Sequence, residues 1–389
     1  MAGWDADRLT REVERLALRG LPRDQLHAEL AARIRRAVRV DAACWHGLDP
    51  RTLLMTTADP VELLGKGYLA PEDEPAAARA VLASEYDRDD FNGFAVLARR
   101  RAPVGLLSES TRGRPERSAR FREYLAPHDL PYELRVAFVS RGRAWGCVVL
   151  HRSDGPDFST QEVRTLARQS RPIAEALRAS LRVDAALRDD HGHAPGMVLL
   201  GRRNEIQLVT PPAEALLDRL GGQSPATLEP VPLPVLTVAA MARRNSRSDA
   251  PGPVPSLQVP TGGGWLSLHA AVPRGADHGN VAVVIQPAGA GASVGLELEA
   301  YGLTGREREV AWLGVTGVST ATIAEQLSLS PWTVQDHLKA AFEKTGTHSR
   351  RELRSKVFYE EYLPAIGSHA PLDAGGSLIP RVSSRTPPT

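Results

Sequence analysis

The stretch from Leu303 to Leu353 constrains the fold more than any other part of the sequence, because helix signals and apolar spacing agree there. Thr304, with Glu307 three residues later, has the pattern of a capping box, which satisfies free backbone amides at a helix start. Ser319 and Ser330 are placed to cap a second and a third helix. A glycine follows the first helix and another follows the third, as is common at helix ends. The pattern predicts three short helices with a tight turn between the second and the third.

The third predicted helix divides into two faces. Ser330 caps it, and Pro331 takes its first position, where a missing N–H costs nothing. At about 100° per residue, the apolar face consists of Val334, Leu338, Ala341, Phe342 and Thr345. The opposite face consists of Trp332, Asp336, Lys339, Ala340 and Glu343. This second face is free to enter a major groove of DNA, which is wide enough for one helix. The block is therefore interpreted as a helix-turn-helix.

The block also resembles the C-terminal effector domain of LuxR-type transcriptional regulators. The matching runs are LTGREREV at 303–310, IAEQL at 323–327, SPWTVQDHL at 330–338 and KTG at 344–346. In that family the third helix reads bases and the helix starts hold phosphates. The resemblance therefore implies that Thr333, Gln335, Asp336 and Lys339 face the DNA, with Ser330 and Trp332 near its backbone. Arg350 and Arg351, at the start of a fourth helix, complete the predicted DNA-binding set.

The charge pattern departs from the resemblance. The family often carries Lys or Arg where this chain has Trp332 and Gln335. Between Tyr301 and Leu363 basic and acidic residues are equal in number, with a local basic excess only in the later part. A strongly basic domain would have indicated DNA more clearly. A small helical bundle that binds protein is the alternative, since capping and apolar spacing serve both functions.

Asp336 lies at the centre of the predicted groove-facing side, and two roles are open to it. A carboxylate there can accept a hydrogen bond from the N4 amine of cytosine. It can also pair with Lys339 one turn further along the same helix.

Length and composition bound the rest of the chain. Its 389 residues allow two or three domains of about 100 to 200 residues each. No apolar run approaches the ~20 residues that span a bilayer, and Met1 to Leu18 lacks the apolar core of a secretory signal. Cys44 and Cys147 lie far apart in apolar, strand-like runs. We expect a reduced, cytoplasmic protein without membrane contact.

Residues 1–188 show the order helix, two strands, helical insert, two strands and long helix. Helical segments in the insert are predicted near 76–83, 91–100 and 116–125. The runs DAACWHGLDP at 41, ASEYDRDDFNGFA at 83 and WGCVVLHR at 145 resemble the GAF-like region of actinobacterial LuxR-type regulators. The resemblance implies a sensor domain with a small-molecule pocket and does not name the ligand. The candidate pocket residues are Trp45, His46, Phe91, Phe94 and Trp145, and the alternative is that each is simply part of the core.

Residues 194–288 follow a polar boundary rich in Gly and Pro. Two strands, helices and then three strands resemble a PAS-type domain on topology alone. No cysteine signature for flavin attachment is evident, so no cofactor is expected. Residues 289–300 are predicted to be a flexible linker and residues 364–389 a disordered tail.

The predicted fold class is multidomain α+β. GAF-like and PAS-like mixed α/β sensor domains are followed by an all-α, four-helix LuxR-type helix-turn-helix domain at 301–363. No nucleophile elbow, HExxH, Walker loop or paired Cys-x-x-Cys occurs. Neither enzyme activity nor a metal site is therefore expected.

The predicted function is regulation of transcription through double-stranded DNA, with activity modulated by a small molecule or partner at the sensor region. Because one helix-turn-helix buries little surface on DNA, a homodimer is expected. RNA polymerase is a further candidate partner. The alternative is a DNA-binding protein whose N-terminal domains serve only dimerisation or protein contact.

Overall fold

The computed structural model describes residues 6–61, 81–87, 90–186, 194–221, 231–248, 252–261, 264–273, 279–288 and 298–361. It divides the chain into two compact units. The first unit comprises Met1–Val183, Pro195–Val259 and Leu266–Gln286, and the second comprises Asp184–Ala194, Pro260–Trp265 and Pro287–Thr389. The predicted tail, most of the predicted linker and most of the predicted helix near 76–83 lie outside the described residues.

A five-stranded antiparallel sheet forms the centre of the N-terminal region, preceded by helices α1 (Ala6–Arg19) and α2 (Arg23–Ala37). Its strands are β1 (Ala42–Leu48), β2 (Met55–Val61), β3 (Val104–Leu106), β4 (Tyr132–Ser140) and β5 (Arg143–Arg152). They lie in the order β2-β1-β5-β4-β3. The two predicted strand pairs are thus present. Sequence reasoning missed α1 and the three-residue strand β3.

Helix α3 (Thr160–Ala186) follows the sheet and begins at a capping box formed by Ser159 and Glu162. The Ser159 backbone N donates to Glu162 Oε2 at 2.7 Å, and the Glu162 backbone N donates to Ser159 Oγ at 3.3 Å. This reciprocal pair satisfies amides that have no partner within the helix. The start of the long closing helix is therefore encoded locally.

The insert between β2 and β4 consists of short helical turns instead of the longer helices predicted. They span Ala83–Asp87, Phe94–Leu97, Leu107–Ser110, Pro115–Arg117, Phe121–Leu125 and Ala126–His128. The helix predicted over 91–100 is present only as Phe94–Leu97, and it begins after Asn92, which adopts a left-handed φ of 59° that no helix continues through. Pro115 likewise begins a separate turn, since it cannot donate to a preceding one.

A second five-stranded sheet follows, in the order β7-β6-β10-β9-β8. Its strands are β6 (Gly196–Leu200), β7 (Ile206–Val209), β8 (Ser256–Thr261), β9 (Gly264–Ala271) and β10 (Val281–Pro287). Helices α4 (Pro211–Arg219) and α5 (Leu233–Ser246) lie between β7 and β8. Every element predicted for this region is present.

Most residues of the two sheets belong to the first compact unit, and within that unit the two regions share contacts. Helix α5 packs against β2 and the turn Ala83–Asp87. Arg244 Nη1 donates to the Tyr86 carbonyl at 3.2 Å, and the Gln258 backbone N donates to the buried Asp49 Oδ2 at 3.0 Å. The predicted domain boundary near residue 190, between the GAF-like and the PAS-like regions, stays a prediction.

Helices α6 (Gly305–Val315), α7 (Thr320–Leu327), α8 (Pro331–Thr345) and α9 (Arg350–Glu361) form the described C-terminal part of the second unit. Their core includes Val310, Ile323, Val334 and Leu338, all buried. The prediction of a helical C-terminal domain is confirmed. In the described residues of the whole chain, no helix has both the length and the apolarity needed to cross a membrane.

Arg120 and Glu133 form a buried ion pair beside the first sheet. Arg120 Nη2 lies 2.7 Å from Glu133 Oε1, and Arg120 Nε donates to Oε2 at 3.0 Å. Asp90 Oδ2 accepts from the Arg120 backbone N and from Ser118 Oγ, both at 2.9 Å. Burial raises the pKa of Glu133, but the charges of Arg120 and Arg135 outweigh it and hold this pKa at about 2. The pair ties the insert to β4.

We predict that Glu133→Gln lowers the free energy of unfolding by about 3 kcal/mol at neutral pH, because Arg120 loses the nearer of its two buried counter-charges and keeps only Asp90, whose Oδ2 lies 3.4 Å from Arg120 Nη1. The folded-state pKa lies below the unfolded value of about 4.3. The stabilisation is therefore complete above that unfolded value and is lost as pH falls towards about 2. The difference in free energy of unfolding between the wild type and Glu133→Gln should therefore shrink over the same pH range. Urea denaturation followed by circular dichroism measures both effects.

Asp154→Asn is the matched control. The Asp154 side chain is 72% exposed in its ion pair with Arg39, so its loss should change stability by only about 0.5 kcal/mol. Equal stability of the two variants at neutral pH would contradict the buried-pair prediction.

Candidate functional site

Side-chain caps fix the starts of α6, α7 and α8 in the C-terminal unit. Thr304 Oγ1 accepts from the Glu307 backbone N at 3.3 Å, while the Thr304 backbone N donates to Glu307 Oε2 at 2.7 Å. Ser319 Oγ accepts from the backbone N of residue 322 at 3.1 Å, and Ser330 Oγ accepts from that of Thr333 at 3.0 Å. All three predicted caps are present. Each helix start is therefore fixed by residues close in sequence.

The turn between α7 and α8 sets the direction of α8. Ser328 ends α7 in a left-handed conformation with φ 52°. The Leu329 backbone N donates to the Ala324 carbonyl at 2.8 Å, and the Leu329 side chain packs against the core. Helix α8 therefore leaves the turn with Val334 and Leu338 directed into that core.

The opposite face of α8 is open to solvent. Trp332 is 75% exposed, and Gln335, Asp336 and Lys339 are also exposed. Thr333 is half-buried, with its hydroxyl 2.8 Å from Ser330 Oγ. The face predicted to meet DNA is thus the exposed face of α8.

Asp336 and Lys339 do not pair with each other. Within the described residues the structure gives Asp336 neither a hydrogen bond nor an ion pair. The alternative role of Asp336 as a helix partner of Lys339 has no contact to support it. Its carboxylate is exposed to solvent and accepts no hydrogen bond from another described residue.

Arg350 and Gln335 meet at Thr320, which is a residue that the sequence analysis did not single out. Arg350 Nη2 donates to Thr320 Oγ1 at 2.6 Å, and Gln335 Nε2 lies 3.3 Å from the same oxygen. Arg350 Nη1 also donates to the Val318 carbonyl at 3.0 Å. Arg350 therefore joins the starts of α9 and α7, whereas Arg351 is exposed. Only the position of Thr320 next to a predicted cap could have drawn attention to it.

Lys344 joins α8 to the cap of α6. Its Nζ lies 2.7 Å from Glu307 Oε1 and also contacts Oε2. Burial raises the pKa of Glu307, but the hydrogen bonds from Lys344 and Thr304 outweigh it and lower the pKa below its usual value. Lys356 is similarly engaged, donating to the Thr345 carbonyl at 2.7 Å. Part of the local basic excess is thus used inside the domain.

The five predicted pocket residues do not form one cluster. Trp45 stacks on Phe138 with ring centroids 5.4 Å apart, whereas His46, the next residue of the same strand, lies on the opposite face of the sheet. His46 is 6.3 Å from Phe94 by ring centroids. Phe91 packs in a separate apolar cluster with Phe121 and other residues of the insert.

Trp145 is the fifth predicted pocket residue. Its side chain is buried on β5, and its Nε1 has no hydrogen-bond partner among the described residues. Of the five, the described contacts bring together only His46 and Phe94. A pocket formed by these five side chains stays a prediction.

Comparison with known proteins identifies the C-terminal segment. Residues 302–357 match the family model of bacterial regulatory proteins of the luxR family. No curated protein matches the chain in sequence. The segment thus carries a LuxR-family helix-turn-helix domain, which supports DNA binding and transcription regulation.

Several solved structures are distantly similar to the chain. The crystal structure of Escherichia coli SdiA is 13% identical, with a TM-score of 0.31, over 92% of this chain and 99% of that chain. SdiA in complex with octanoyl-rac-glycerol is 12% identical, with a TM-score of 0.25, over 93% of this chain and 90% of that chain. The bacteriophytochrome RpBphP3 of R. palustris is 11% identical, with a TM-score of 0.28, over 74% of this chain and 64% of that chain.

We predict that Arg350→Met lowers the melting temperature of the C-terminal unit by about 4 °C or more, because the Val318 carbonyl and Thr320 lose a charged donor. Arg351→Met should leave the melting temperature nearly unchanged, since Arg351 is exposed. Differential scanning calorimetry of the full-length chain measures both. Equal effects of the two substitutions would show that Arg350 does not hold α9 to α7.

Proposed function

We propose that this chain is a transcriptional regulator that binds double-stranded DNA by placing α8 in the major groove. The observation that carries the proposal is the exposed face of α8, whose polar side chains lie opposite a buried apolar face within a segment that matches the luxR family. A helix of this kind, joined to a preceding helix by a tight three-residue turn, is the arrangement that reads base edges in helix-turn-helix proteins.

The predicted DNA-binding residues fall into two groups, those that would face bases and those that would contact the DNA backbone. Thr333, Gln335 and Asp336 would face bases, because their side chains carry acceptors or donors near the start of α8. Lys339 and Arg351 would contact phosphates, since both are exposed cations. The remaining predicted contacts to the DNA backbone are Ser330, Trp332 and Arg350. Arg350 would act mainly by fixing Thr320 and the start of α7.

Selection of bound fragments from a pool of random duplexes tests the proposed function. The full-length chain should enrich a short, defined sequence, and the logarithm of its affinity for that sequence should fall linearly with the logarithm of salt concentration. A protein-binding helical bundle would enrich no sequence. That outcome would favour the alternative function of the C-terminal domain.

For Asp336 we predict a role in base recognition. Asp336→Ala should lose about 1 to 3 kcal/mol of discrimination at one base pair, because a carboxylate acceptor for cytosine N4 is removed. Lys339→Ala is the contrasting variant. It should weaken binding to all sequences alike. The slope of log affinity against log salt concentration should become shallower by about one, as expected for the loss of one phosphate contact. Base preference at every position of the selected sequence is compared among the three proteins, and an unchanged profile for Asp336→Ala would refute its role.

A homodimer on DNA is part of the proposal, because two helix-turn-helix units double the contacts that one can make. The candidate contact elements are α9 and α3. Analytical ultracentrifugation with the selected duplex should give two protein chains per duplex at saturation. One chain per duplex would exclude the dimer and would leave the single domain to supply all the affinity.

The N-terminal unit is proposed to be a GAF-like and PAS-like sensor that modulates DNA binding in response to a small molecule or a protein partner, with RNA polymerase a further candidate. Its two sheets with helical insertions support this reading. The alternative is that the unit serves only dimerisation or protein contact. An effector that changes the affinity for the selected duplex separates the two, because a purely structural unit would show no such coupling. Neither alternative is enzymatic.

A further inference from the structure

Trp332 is a largely exposed aromatic side chain at the start of α8. It is 75% exposed, and it belongs to neither of the two apolar clusters that form the core of the C-terminal helices. A single exposed apolar side chain is ordinary on a protein surface, so exposure alone does not mark a site. The position of Trp332 on α8 and the chemistry of its ring decide what it can bind.

Trp332 lies on the same side of α8 as the residues proposed to meet DNA. At about 100° per residue, it is within about 20° of Lys339 and about 40° of Asp336 around the helix axis. Both of those residues are exposed. Trp332 is the nearest of the three to the helix N-terminus, and the N-terminal residues of a recognition helix are those that contact base edges. Trp332 is therefore placed where bases are read.

The polar side chains next to Trp332 have partners within the C-terminal helices. The Thr333 hydroxyl lies 2.8 Å from Ser330 Oγ, and Gln335 Nε2 lies 3.3 Å from Thr320 Oγ1. The indole of Trp332, by contrast, is mostly surrounded by solvent. It is therefore the largest apolar surface that the first turns of α8 offer to a partner.

The backbone that carries Trp332 is fixed before any partner binds. Ser330 Oγ accepts from the Thr333 backbone N at 3.0 Å, and Pro331 occupies the first position of the helix with its φ set by the ring. The indole itself is rigid and rotates about only two side-chain bonds. Holding it against a partner therefore costs less conformational entropy than holding a long lysine or arginine side chain.

The chemistry of the indole favours a base over a phosphate. Phosphate oxygens are bound best by cations, whereas an indole carries no charge and a single N–H donor. The base edges in the major groove are mostly donors and acceptors, but thymine also presents its C5-methyl group there. Contact between this methyl group and the indole removes two apolar surfaces from water, which is favourable. Thymine is therefore the base that the exposed ring fits.

We infer that Trp332 is a specificity-determining residue whose indole packs on the C5-methyl group of a thymine in the major groove. The inference rests on the proposed function, that α8 enters this groove. Trp332 is thereby assigned to a base edge, whereas the family resemblance places it near the DNA backbone. The contact adds an apolar component to recognition by the polar side chains of α8.

Replacement of single thymines by deoxyuridine tests the inference, because it removes the methyl group and keeps the base pair. Each thymine of the selected duplex is replaced in turn, and binding of the full-length chain is measured at low salt. One such replacement should weaken wild-type binding about fourfold, since burial of one methyl group stabilises by about that factor. Trp332→Ala should bind the thymine and deoxyuridine duplexes equally at that position. The inference is overturned if no replacement weakens wild-type binding, or if the weakening persists in Trp332→Ala.

Two further variants identify the interacting surface. Trp332→Phe keeps an aromatic ring without the N–H, so the difference between thymine and deoxyuridine should be largely retained. Its loss in Trp332→Phe as well as in Trp332→Ala would show that the ring does not make the contact. Trp312 on α6 is the matched control, because its side chain is also exposed, at 40%, but lies outside α8. Trp312→Ala should keep the full difference, and its loss there would contradict the assignment to Trp332.

Failure of the inference can be distinguished from failure of the proposed function. A chain that enriches no duplex sequence fails the proposed function itself. A chain that enriches a sequence but shows no difference between thymine and deoxyuridine that depends on Trp332 fails this inference alone. Because Trp332 is largely exposed, its substitutions should leave the fold intact, and circular dichroism of each variant verifies this.

Discussion

The C-terminal unit depends on the three-residue turn, 328–330, between α7 and α8. Ser328 takes a left-handed conformation that is unfavourable for a residue with a Cβ, and it is held there by the hydrogen bond from Leu329 to Ala324. Because the turn is so short, the phase of α8 is fixed as soon as Leu329 is packed. Val334 and Leu338 then enter the core, and the polar residues of α8 have no place except in solvent. The exposure of Asp336 and Lys339 follows from that one constraint.

The features that could be predicted from the sequence are those encoded by near neighbours. The caps at Thr304, Ser319 and Ser330 involve residues three apart, so capping chemistry identifies them without tertiary information. The contacts of Arg350 could not be predicted from near neighbours. It was expected at the DNA, but its partners, Val318 and Thr320, are about thirty positions away in sequence and are brought near only by the packing of α9.

In the N-terminal unit, too, contacts between residues far apart in sequence could not be predicted. Strands and the closing helix follow from alternation and from the Ser159 cap, but the candidate pocket was chosen by aromatic content. Adjacent residues of a strand face opposite sides, so Trp45 and His46 lie on opposite faces of the sheet. Arg135 was overlooked because a single arginine in an apolar strand gives no pattern, and its partners, Glu85 and the Asn92 carbonyl, lie in the insert.

Entry of α8 into the major groove is the central claim, and methylation interference tests it most directly. Dimethyl sulfate methylates dG at N7 in the major groove and dA at N3 in the minor groove, and a partially methylated duplex of the selected sequence is separated into bound and free fractions. The account predicts that N7 methylation at particular dG positions excludes molecules from the bound fraction, because these atoms lie on the edge that α8 reads. Interference confined to the N3 of dA, or no interference at any position, would contradict it.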